Sequence, residues 1–164
     1  MEHRIRAAAI IVKDNRILLV KHQHPVSAAE FWVPPGGGLE NEETIYECVK
    51  REVFEESGLN VELGEVLYLS ELVNVPDATH HLEIFILARS FEGEPTTINL
   101  RPGDRDFKVV QEARFLSREE MKGLIIYPEI LKGGFWTDLT CKEGLRLRYL
   151  GQQKVLFSWK TRQD

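Results

Sequence analysis

Cysteine is scarce in this chain of 164 residues: Cys48 and Cys141 are the only two, far apart and without metal-type spacing. Two such thiols exclude a disulfide-stapled scaffold and a cysteine-ligated metal module. Long apolar runs are missing as well. No stretch approaches the ~20 residues that a helical membrane span needs, and the N-terminus shows no apolar signal core. Cytoplasmic residence without a membrane partner is the default expectation. Positive charge is not in excess either: 21 Lys and Arg stand against 26 Asp and Glu, a formal net charge of −5, with no clustered basic run. That balance argues against a broad nucleic-acid face. It leaves room for a small anionic ligand, because bound divalent cations can supply the local positive potential. No repeat, low-complexity tract or linker interrupts the chain. With 43% hydrophobic and 29% charged residues, a single globular domain over 1–164 is expected.

What the chain has in abundance is glutamate, concentrated in residues 37–59, GGLENEETIYECVKREVFEESGL. Gly36, Gly37 and Gly38 should break any regular element, and Thr44 opens a periodic run that Gly58 closes as a C-terminal cap. Ile45, Cys48, Val49 and Val53 recur at helical spacing, so one side of this helix is expected to be buried. Cys48, on that side, reads as a small hydrophobe. At ~100° per residue, Glu52, Glu55 and Glu56 fall within about 100° of one another, on an arc overlapping that of Ile45 and Cys48. Three carboxylates thus stand where a structural helix would continue its apolar stripe. Their repulsion calls for a neutralising cation, and oxygen-only ligands suit Mg²⁺ or Mn²⁺. A solvated acidic face is the plainer reading of EVFEE taken alone.

The whole stretch resembles the Nudix hydrolase signature. That pattern is a glycine, five residues, a glutamate, seven residues, Arg-Glu, an aliphatic, any residue, Glu-Glu, any residue, a glycine and an aliphatic. Here the specified positions are Gly37, Glu43, Arg51, Glu52, Val53, Glu55, Glu56, Gly58 and Leu59, with no departure. The preceding Trp32-Val33-Pro34-Pro35-Gly36-Gly37 also looks like the family lead-in. The resemblance implies an α/β/α sandwich with a mixed central sheet and the signature as a catalytic loop–helix. It implies hydrolysis of the pyrophosphate bond in a nucleoside diphosphate linked to another group, a small-molecule substrate, and a homodimer as a common state among relatives. Glu52, Glu55 and Glu56 carry over as metal ligands. Gly37 and Gly38, lacking a Cβ, let backbone approach metal or phosphate. Arg51 and Glu43 read as an ion pair that fixes the loop and orients Glu52.

The general base lies in the signature or in a loop beyond the central strands. Residues 96–108 form a polar connection long enough to suspect function, and offer Asp104 and Asp106; Glu112 follows on the next strand. Each doubles as an ordinary exposed carboxylate. His22, His24, Phe31, His80 and His81 are candidates to stack on a base or contact phosphate, against a plain packing role. His80 and His81 do not make a transition-metal pair, because consecutive strand residues point to opposite faces. Trp32 reads as a structural wedge.

Elsewhere, residues 5–12 and 17–21 read as a hairpin around 13–16, and 31–33 as a short strand ended by Pro34 and Pro35. Residues 61–72 alternate as one long or two short strands; 81–90 and 109–116 are further strands. Ser117-Arg118-Glu119-Glu120 is a capping box opening a second helix to about residue 124. Residues 128–131 form a helical turn, and 144–159 a last hairpin. Strands flanking one long helix give an α+β class. Marks that separate subfamilies leave the substrate open: residues 75–77 hold no tyrosine of the diadenosine-polyphosphate type, and Pro76 falls slightly off the ADP-ribose position. A nucleotide-sensing domain without catalysis, and an RNA 5′-end decapping enzyme, remain as alternatives; the intact signature argues against the first and the acidic balance against the second.

Overall fold

The structure, a computed structural model, describes residues 1–24, 27–104 and 107–156. Its elements run β1 (Glu2–Ile10), β2 (Val12–Lys13), β3 (Arg16–Gln23), β4 (Glu30–Val33), β5 (Gly36–Gly38), α1 (Ile45–Ser57), β6 (Asn60–Asn74), β7 (Thr79–Glu92), β8 (Val110–Ser117), a 3₁₀ turn (Glu129–Lys132), α2 (Gly134–Leu139) and β9 (Arg148–Val155). One sheet is mixed, in the order β5-β1-β7-β6-β9, with β1 and β7 parallel, as are β6 and β9. In the other sheet, β2, β4 and β8 all pair antiparallel with β3.

Two apolar clusters make the layers. On one face of the mixed sheet, Val49 and Val53 of α1 bury against Ala7, Ala9, Ile84 and Ile86. The alanines there leave room for the helix to sit close. On the other side, Ile10, Tyr68 and Phe85 pack with Trp32 and Leu116 of the second sheet and with Leu131, Phe135 and Trp136. The result is the expected α+β sandwich around a mixed sheet, with Trp32 as an interior wedge. No helix is long and apolar enough to cross a membrane, among the described residues.

Several expectations need correction. Residues 5–12 do not form one arm of a hairpin: β1 stays in the mixed sheet beside β7, and only Val12–Lys13 turns back along β3. The turn itself is a two-residue one, with Asp14 and Asn15 at φ 50 and 57. Gly36–Gly38 does not break regular structure but forms β5, antiparallel to β1. Bare backbone is what allows it, since a Cβ at Gly36 would run into the Ala7 carbonyl and Ala8. The capping box at Ser117 forms, with its N–H on Glu120 Oε2 at 2.8 Å, but the segment continues as turns and reaches Gly123 at φ 77. The second helix comes later, as α2. Residues 144–159 give one strand, β9, parallel to β6, rather than a hairpin; residues 157–164 lie outside the described residues. By contrast, residues 61–72 belong to a single unbroken strand, longer than its alternation suggested.

Candidate metal and phosphate site

Helix α1 is fixed at both ends by local chemistry. The Thr44 hydroxyl accepts from the Glu47 N–H at 3.2 Å, and Glu47 Oε2 accepts from the Thr44 N–H at 2.7 Å, a reciprocal capping box. At the far end Gly58 adopts φ 71 and donates its N–H to the Phe54 carbonyl at 2.9 Å. Between these caps the helix turns Glu52 and Glu56 inward, with side chains only 6% and 1% exposed, and leaves Glu55 at 36%.

Arg51 ties the cluster together. Its Nη2 and Nε grip both oxygens of Glu43 at 2.7 and 3.1 Å. Nη1 donates to Glu52 Oε1 at 2.8 Å and to Glu55 Oε2 at 3.4 Å, and Nη2 also reaches the Gly38 carbonyl at 3.3 Å. The Arg51 guanidinium holds the Glu43 carboxyl down at about 2, and the carboxylates in turn raise Arg51. Glu55 is shifted the other way: burial raises it most, Arg51 opposes, and Asp104 and Glu40 add repulsion. Cys48, packed below Arg51, is pushed up to about 12 by burial and by Glu43 and Glu52.

Glu56 is held differently. Its Oε2 accepts from the Gly36 N–H at 3.0 Å. Among the described residues its Oε1 is buried without a hydrogen-bond partner, and His22 Nε2, likewise buried and without a hydrogen bond, lies 3.5 Å away. A buried carboxylate oxygen with no donor is costly unless something positive meets it. Gly37 stands against the Glu52 carboxylate so closely that a Cβ there would overlap it. The glycines thus bring backbone to both inner glutamates.

A cleft of about 390 Å³ opens beside the helix, lined by the acids Glu40, Glu52, Glu55 and Asp104 and by Arg6 and Arg51. Asp104 reaches it from the loop after β7, with its Oδ2 accepting from the Arg101 N–H at 2.6 Å. Asp106 lies outside the described residues. Glu112 is on β8 opposite Lys21, 3.4 Å from Arg114, and does not line the cleft. Of the candidate aromatics and histidines, His22 sits on Glu56, with the Phe31 ring tilted against it at a centroid distance of 5.3 Å. His24 accepts from the Ser27 N–H at 3.0 Å, a turn contact. His80 pairs with Glu71 at 2.7 Å, and His81 with Thr79 at 3.1 Å. His81 is lowered to about 4 by burial, with Arg6 and Arg4 adding to it.

The donor set is all oxygen, crowded with negative charge, and includes a buried carboxylate oxygen with no hydrogen bond among the described residues; that chemistry fits a hard divalent cation. Arg51 now occupies an oxygen on each of Glu52 and Glu55. Accordingly, among the described residues no three acidic, histidine or cysteine side chains converge as a preformed metal cage. Sequence reasoning missed Arg6 and Glu40 in the cleft and the contact of His22 with Glu56. A lone arginine on an alternating strand carries no local mark of where its side chain ends.

Comparison with known proteins agrees with this geometry. The family model for the NUDIX domain matches residues 2–132. A human protein named m7GpppN-mRNA hydrolase NUDT17 is 33% identical over 92 residues, covering 49% of this chain; the chain spans only 28% of that relative's length. Phosphatase NudJ of Shigella boydii is 26% identical over 160 residues, 94% of this chain and 92% of NudJ. Among solved structures, a MutT NUDIX hydrolase from Burkholderia pseudomallei superposes with a TM-score of 0.66 at 23% identity, covering 80% of this chain and 96% of that one.

Proposed function

The chain belongs to the NUDIX domain family, and on that footing we propose that it is a divalent-metal-dependent hydrolase of the pyrophosphate bond in a nucleoside diphosphate linked to another group. The observation that carries the reading is Glu56 Oε1, buried and without a hydrogen-bond donor among the described residues, on the same helix as Glu52 and Glu55, which line an acidic cleft. Glu52, Glu55 and Glu56 would hold Mg²⁺ or Mn²⁺. Such an ion supplies charge neutralisation on phosphate oxygens and lowers the pKa of an attacking water.

The chain's own residues do the rest. Arg51, anchored by Glu43, holds Glu52 and Glu55 at the cleft, and each would give up its Arg51 contact on taking the ion. Gly38 lines the cleft and would let backbone approach the diphosphate, whereas Gly37 is buried against the Glu52 carboxylate. On this reading Asp104, which lines the same cleft as Glu55, would take the proton from the attacking water or add an oxygen ligand. Glu112 has no comparable position.

The test is turnover across nucleoside triphosphates, ADP-ribose, nucleotide sugars and capped RNA, with Mg²⁺ and then with chelator, reading phosphate after added phosphatase. Metal-dependent release from at least one substrate is expected. The capped RNA is included because a relative bears a decapping name; the net charge of −5 argues against RNA here. Tight binding of a nucleotide with no turnover on any member would refute hydrolysis and favour a sensor.

A further inference from the structure

We propose that Arg6 receives the substrate's second phosphoryl group, the one not held at the glutamates, and that Glu83 is its positioning residue; this rests on the pyrophosphohydrolase reading above. The starting observation is a contrast between the two guanidinium groups of the cleft. Arg51 is saturated by protein, with three carboxylates and a carbonyl within 3.4 Å. Among the described residues Arg6 has contacts only at the outer limit: the Gly36 carbonyl at 3.5 Å from Nη2 and Glu83 at 3.9 Å from Nε. Its side chain remains 34% exposed. A cation needed merely to neutralise the cleft would be drawn onto Glu52 or Glu55, as Arg51 is. Arg6 stands off from them with most of its five donors available for a planar, forked acceptor such as phosphate.

Its place is set by register. On β1, Arg6 lies opposite Gly38 of β5 on one side and Glu83 of β7 on the other. Gly38 has no side chain to block the way into the cleft that both residues line. Gly36 donates its N–H to Glu56 and accepts from Arg6 through its carbonyl, so one residue spaces the inner glutamate from the guanidinium. Glu83 is half-buried, and burial raises its carboxyl against the opposing pull of Arg6. It holds the guanidinium back from the acidic helix without engaging it at close range.

The experiment compares wild type, Arg6→Ala, Arg6→Lys, Glu83→Gln and the Arg6→Ala/Glu83→Gln double variant. Binding of α,β-methylene-ADP and of AMP with Mg²⁺ is measured by calorimetry, beside kcat, KM and melting temperature. Arg6→Ala should weaken α,β-methylene-ADP about ten- to a hundred-fold, the worth of a charge-assisted contact, and leave AMP unchanged. Arg6→Lys should fall between, and it carries the test if the alanine variant does not fold. Glu83→Gln should raise KM with kcat retained, and should add nothing once Arg6 is alanine. Wild-type affinity for α,β-methylene-ADP in Arg6→Ala, or an equal loss for AMP, overturns the inference while metal-dependent turnover in the wild type keeps the functional reading. Absence of that turnover overturns both.

Discussion

Replacing Glu43 by glutamine tests the electrostatics of the site where they are most legible. The substitution keeps the shape and an acceptor but removes the charge that Arg51 grips at 2.7 and 3.1 Å. At ~1.36 kcal/mol per pH unit, the fall of Glu43 from 4.5 to about 2 sets a ceiling of ~3.4 kcal/mol. Arg51 lines the cleft and is 26% exposed, so solvent screening reduces this to about 1–2 kcal/mol. For a chain of this size that is a loss of roughly 2–8 °C in melting temperature at pH 7. The sign follows from a depressed carboxyl: the stabilisation is fully present above 4.5 and disappears as pH falls through about 2. Thermal melts of wild type and Glu43→Gln should therefore differ at pH 7 and converge on acidification, with about two fifths of the gap left at pH 3. A gap of constant size from pH 7 to pH 3, or none at pH 7, would refute the reasoning.

Glu56→Gln keeps an acceptor for the Gly36 N–H and removes a buried charge, so it should melt at or slightly above the wild type. Its turnover should drop roughly 100-fold or more, read in the same Mg²⁺ assay; an unstable but active variant would contradict the assignment. The two thiols should separate cleanly, because Cys48 is buried and pushed up to about 12 whereas Cys141 is exposed. A thiol reagent at pH 8 should count one cysteine in the native protein and two in urea; fast labelling of both in the native state would show that the helix is not packed as described.

Most of what was legible in the sequence was local. The start at Thr44, the Gly58 stop and the buried Cys48–Val49–Val53 side follow from spacing within one helix, where neighbours three and four apart must meet, whereas the Arg51–Glu43 pair, eight residues apart with Glu43 ahead of the helix, was legible only through the family resemblance. The inward turn of Glu52 and Glu56 followed from the same arc. What the sequence hid was long-range. The parallel pairing of β1 with β7 joins residues some eighty positions apart, and nothing in IRAAAIIV names that partner. Arg6 reaches the cleft by lying opposite Gly38 of β5, a pairing equally unmarked in the sequence, so its candidacy was invisible. The glycines misled in the opposite sense: Gly36–Gly38 looked like a break, yet their bareness is what lets a third backbone lie against β1. The capping box at Ser117 formed its hydrogen bonds without the helix it announces, because Gly123 soon takes a left-handed turn.

The central claim, that the inner glutamates of α1 hold a divalent ion against a diphosphate, is tested most directly by the anomalous map of a crystal soaked in Mn²⁺ and α,β-methylene-ADP. A peak about 2.1–2.2 Å from carboxylate oxygens of Glu56 and Glu52, also touching the diphosphate, is expected. Bound nucleotide with Glu52 and Glu55 still on Arg51, Glu56 still facing His22, and no peak between them would contradict it.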